Sequence, residues 1–143
     1  MKRSAFAAFL TGTMMLIAAM AAALADDEPS NFQVPDGTWV GVGHQLFETE
    51  PGFGAYETWE IRLTALAGAV TIAYPSLSCV ALWQRERTSP LAVTFRETLS
   101  SGEDTCIDRG MVVVTPMEAD RLRLEYYYPD DTLIAFAQLT RAK

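Results

Sequence analysis

The sequence predicts an all-β fold: a single small eight-stranded antiparallel meander barrel, with a two-sheet β-sandwich as the alternative. Three observations lead there. After residue 25 the chain divides into short apolar segments punctuated by Gly, Pro, Asn, Asp and Ser. Trp59, Ile61 and Leu63 alternate with Thr58, Glu60 and Arg62, and Leu122, Leu124, Tyr126 and Tyr128 alternate with Arg121, Arg123, Glu125 and Tyr127, which is the period of a half-buried strand. No stretch beyond residue 25 carries the period of an amphipathic helix. A barrel is preferred because consecutive strands with short links pair with their neighbours and closure removes two edges.

The first 25 residues stand apart. Lys2 and Arg3 precede an Ala/Leu/Met/Phe run, and Ala23-Leu24-Ala25 stands before Asp26-Asp27-Glu28. That order is a secretory signal peptide over 1–25 with a small-residue cleavage site. The run is nearly long enough for an uncleaved membrane anchor, but Thr11-Gly12-Thr13 dilutes it. The expectation is a cleaved, soluble product, periplasmic or extracellular. Residues 26–37 then form a loose amino-terminal arm and 38–143 one β-barrel domain. Net charge is −7, and cleavage removes two cations more. Such a domain repels nucleic acid and anionic membranes and attracts basic proteins.

A Pro35-Asp36-Gly37 turn leads into the first strand, Thr38–His44, where Gly41 and Gly43 share a side and allow a bend or the close approach of a neighbour. Residues 48–55 are a loop, and 56–63 the second strand. Ala65-Leu66-Ala67-Gly68 is a turn into Ala69–Tyr74, whose Val70, Ile72 and Tyr74 share a face. Pro75, which lacks an N–H, ends that strand at a corner, and Cys79, Ala81 and Trp83 share a face of the next. Leu91–Leu99 follows, with Leu91, Val93 and Phe95 inward. Ser100–Thr105 is a polar loop, Met111–Thr115 a strand stopped by Pro116, and Glu118-Ala119-Asp120 a turn. Arg121–Tyr128, a Pro129-Asp130-Asp131 turn and Thr132–Leu139 complete the eight.

Cys79 and Cys106 are the two cysteines. An exported chain meets an oxidising compartment, so they are expected to form a structural disulfide; redox chemistry would call for a Cys-x-x-Cys spacing.

Catalytic constellations are weak. His44 is the single histidine, so metal sites with two imidazoles are excluded, and a hydrolase would have to be built around His44 without a Gly-x-Ser-x-Gly elbow. Glu57 and Glu60 differ by an odd number and fall on opposite faces of a strand, so they cannot flank one glycosidic bond. Glu103, Asp104 and Asp108 lack the alternation of a calcium loop. The chain is therefore expected to be non-enzymatic, with no catalytic residue, metal or cofactor.

Two features suggest binding instead. Trp39, Trp59, Tyr74, Trp83, Tyr126 and Phe136 are expected to project into one interior, filling it or lining a cavity for a small apolar ligand. Ser101, Gly102, Glu103 and Asp104 form an acidic loop that a disulfide at Cys106 would hold in place for a basic protein partner, such as a basic enzyme to be inhibited. In strand count, size and export the chain resembles the small exported β-barrels that include lipocalin-like binders and bacterial lysozyme inhibitors, a likeness of architecture alone. The expected function is an exported binding module; an envelope structural or assembly factor is the alternative, a hydrolase using His44 the lesser one.

Overall fold

A computed structural model describes residues 30–46 and 57–143. The signal segment, the first residues of the arm and the 48–55 loop lie outside the described residues. Eight strands run β1 (Gly37–Gln45), β2 (Thr58–Leu66), β3 (Ala69–Tyr74), β4 (Cys79–Thr88), β5 (Val93–Ser101), β6 (Met111–Met117), β7 (Arg121–Tyr127) and β8 (Leu133–Arg141). Each pairs antiparallel with the next, and β1 pairs with β8, so the sheet closes into a barrel rather than a sandwich. Closure satisfies the backbone of both end strands and leaves no free edge.

The period of two puts one row of each strand inside. Ile61, Leu63 and Ala65 from β2, Val70, Ile72 and Tyr74 from β3, Ala81 and Trp83 from β4, Val112 and Val114 from β6, and Leu122, Leu124 and Tyr126 from β7 are all buried. On β1 the inward row is Trp39, Gly41 and Gly43. A side chain at Gly41 would collide with Gln138 O and Leu139, and one at Gly43 would collide with the indole of Trp59, the residue paired with it across β1 and β2. The two glycines thus give their interior space to neighbours.

Local chemistry sets the links. The β2–β3 turn is tighter than the sequence suggested: β2 continues through buried Ala65 to Leu66, and Ala67 and Gly68 alone turn the chain with φ of 49° and 83°, the two-residue form that fits strand twist. At the proline corner a single 3-10 turn, Pro75–Leu77, is closed by Ser78 in the left-handed region. Leu91 does not face inward. It is 77% exposed in a turn where the Ser89 Oγ accepts from the Leu91 and Ala92 amides, and β5 starts only at Val93. Tyr128 also leaves the core, because β7 ends at Tyr127 and the Tyr128 amide donates to Thr132 O in the turn. Pro116 lies within β6 rather than ending it: β6 pairs with β5 only through Val114, so the missing N–H interrupts no ladder on that side.

The two ends of the barrel differ. At the end where β1 begins and β8 finishes, Trp39 fills the interior, donates from Nε1 to Pro35 O at 3.1 Å, and is covered by the Arg141 guanidinium 4.5 Å from its ring. The arm closes this end. Val34 is buried, and the Phe32 amide donates to Ser89 O at 2.8 Å, so the arm expected to be loose is docked from Phe32 onward. The opposite end carries the 3-10 turn, the loop between β5 and β6 and the turn between β7 and β8, and among the described residues it is open.

Candidate functional site

Glu97 is the one buried charged residue among those described, 6% exposed on the inward row of β5 between Phe95 and Leu99. Register puts it directly opposite Trp83 of β4. Its Oε2 accepts two hydrogen bonds, from Trp83 Nε1 at 2.7 Å and from the Tyr74 hydroxyl at 2.6 Å. Among the described residues no hydrogen bond reaches Oε1, and no cationic side chain pairs with the carboxylate. Burial pushes the Glu97 carboxyl above the ordinary carboxylate range; the Tyr74 and Trp83 donors oppose this, and the nearby Asp108 carboxylate adds to it. Tyr74 and Tyr126 are held well above the ordinary phenol value, mainly by burial; Tyr126 and then Glu97 push Tyr74 further up, while Glu97 raises Tyr126 and the neighbouring Tyr74 hydroxyl opposes that shift.

Above this cluster, among the described residues, the open end holds a cavity of about 100 Å³ that is not fully enclosed. Its floor and inner wall include Glu97, Tyr74, Tyr126 and Trp59; Leu77, Ile107, Met111, Val112, Ile134 and Ala135 supply apolar surface. Tyr126 meets Trp59 edge-on with ring centroids 6.2 Å apart and Tyr74 edge-on at 6.3 Å. Its hydroxyl is buried beside that of Tyr74, and among the described residues it makes no well-formed hydrogen bond.

Three local devices make this space. Gly43 lets the Trp59 indole lie close across β1. A register shift between Tyr126 and Tyr127 of β7 and their partners on β8 inserts Ile134, which turns into the cavity as bulged residues do. The Cys79–Cys106 disulfide, with Cα atoms 6.5 Å apart, ties the loop between β5 and β6 to the start of β4, so that Cys106 and Ile107 form part of the wall.

Of the six aromatics expected to share an interior, Trp59, Tyr74 and Tyr126 line this cavity. Trp83 is buried beneath it and reaches it through Glu97. Trp39 belongs to the closed end and lines no part of it. Phe136 is outside the barrel altogether, 37% exposed and stacked on His44 with centroids 5.2 Å apart, because Ala135 and Ala137 occupy the inward row of β8. His44 accordingly belongs to the outer wall of the barrel.

The acidic loop is pinned at both ends. The Thr105 and Cys106 amides donate to Gly102 O, and Gly102, with φ of 90°, packs against Cys79 where a side chain would collide. Ser101, Glu103 and Asp104 are exposed. Asp108 accepts the Leu99 amide at 3.0 Å.

Glu97 is the residue of the candidate site that sequence reasoning does not single out. The signal is present all the same: counting by two from Val93 and Phe95 places position 97 inside, and a carboxylate on an inward row needs partners. No family model, curated protein or solved structure matches the chain. Among the described residues no helix is long and apolar enough to cross a membrane.

Proposed function

We propose that this chain is an exported, non-enzymatic binding module that takes a small, mainly apolar molecule into the open end of its barrel. The observation that carries this reading is a cavity lined mainly by aromatic and aliphatic side chains, with Gln45 and Thr105 beside them and the Glu97 carboxylate at its floor. Such a combination of apolar lining and a few convergent polar groups is the usual make-up of a ligand site. A space of about 100 Å³ that is not fully enclosed takes a molecule of about one ring, part of which stays at the mouth. The disulfide suits an oxidising, exported setting.

Toluene, benzyl alcohol and benzylamine serve as probes, read by the emission of Trp59 and Trp83 and by calorimetry. At least one is expected to bind saturably, and Ala135→Leu, which fills the cavity from a buried position, is expected to abolish the response while the barrel remains folded. No binding by any of the three refutes the reading.

The acidic loop supports a second reading, docking of a basic protein. Its tip is held by two backbone hydrogen bonds and the disulfide, which lowers the ordering cost of docking. Replacing Glu103 and Asp104 by Lys should weaken capture on an immobilised basic protein and flatten its salt dependence; unchanged capture removes this reading.

A further inference from the structure

The residues of the open end also bear on the chemistry of its ligand, provided that this end is a ligand site as proposed above. We infer that the ligand is a small organic ammonium ion, its nitrogen held by Glu97 Oε1 and its carbon body lying against Trp59 and Ile134.

The two oxygens of Glu97 are used unequally. Both protein donors converge on Oε2, which leaves Oε1 as an acceptor on a residue that lines the cavity. Two neutral donors stabilise a buried carboxylate only in part, and no cation of the described chain completes the pair. The missing component is a positive charge carrying N–H donors, and an ammonium supplies both. The groups facing Glu97 agree in sign: Tyr74 on β3, Tyr126 on β7 and Asp108 in the loop after β5 present phenols and a carboxylate, and Trp83 on β4 an indole. An anionic ligand would be repelled by Glu97 and Asp108. The rings of Trp59, Tyr74 and Tyr126 meet edge to face around the same space, and their faces attract cations. An excess of acidic residues, giving a net charge of −7, further concentrates cations at the surface.

Benzylamine and benzyl alcohol, which match in heavy-atom count and differ in charge, test the inference at neutral pH. The wild-type protein is expected to bind benzylamine at least about tenfold more tightly. Glu97→Gln, whose side-chain oxygen can still accept from Tyr74 and Trp83, should bring the two affinities together. A second measurement needs no variant: as pH falls from neutral through the titration of Glu97, benzylamine affinity should drop and benzyl alcohol affinity should hold. Equal binding of the two compounds by the wild type, an undiminished preference in Glu97→Gln, or benzylamine binding that ignores pH overturns the ammonium inference and leaves the ligand site standing. Failure of toluene, benzyl alcohol and benzylamine alike overturns both.

Discussion

Trp83 and Glu97 face one another across β4 and β5, and the indole N–H donates to the carboxylate at 2.7 Å inside the barrel. Tyr74 adds a second bond from β3, so three adjacent strands are joined through one oxygen. A polar knot of this kind is costly to break at one point and cheap to remove whole.

Glu97→Leu should therefore lower stability by about 2–4 kcal/mol, since it strands two buried donors. The combination of Glu97→Leu with Tyr74→Phe and Trp83→Phe should regain part of that loss. Urea unfolding of the single and triple variants checks it; a triple variant less stable than Glu97→Leu contradicts the account.

The pH dependence has two parts with the same sign. Glu97 has its folded pKa raised above the unfolded one, so the native state holds the proton more tightly: its contribution is greatest below the ordinary value of 4.5 and is lost as pH rises through the folded value. The difference in unfolding free energy between wild type and Glu97→Gln should fall over that interval and then level off. Tyr74 and Tyr126 are likewise raised, so stability should decline again above pH 10, and phenolate absorbance from these two should appear together with unfolding. Phenolate absorbance from both in the intact barrel would refute this.

Gly43→Ala places a carbon within 2.4 Å of the Trp59 ring. Stability should drop by about 1–3 kcal/mol, as overpacking usually costs, and the Trp59 emission should shift as the indole is displaced from the cavity wall. Unchanged emission would mean that the glycine does not set the position of the ring.

Loss of the disulfide, by Cys79→Ala with Cys106→Ala, should cost about 3 kcal/mol for a loop with a sequence separation of 27. Because Cys106 and Ile107 line the cavity, benzyl alcohol affinity should weaken in the same variant, as read by calorimetry. An affinity that survives with the barrel folded would detach the loop from the site.

The strands are legible because turn residues and alternation mark them locally, as with Ile61 and Leu63 against Glu60 and Arg62. Inside against outside is less so. Apolarity alone places Phe136 inside, yet its neighbours Ala135 and Ala137 take the inward row, and small residues on that row are what leave the cavity room. Glu97 shows the opposite conflict, where charge suggests surface and the row places it in the core. The inserted residue Ile134 comes from a register shift, which no local pattern in the sequence announces.

The pairing of β1 with β8 carries a consequence for how the molecule can be held. The Ala142 amide reaches Thr38 O, so both extremities of the barrel emerge side by side at the rim plugged by Trp39 and Arg141. Anything tethered there, whether a fusion partner or a solid support, hangs from the face opposite the cavity.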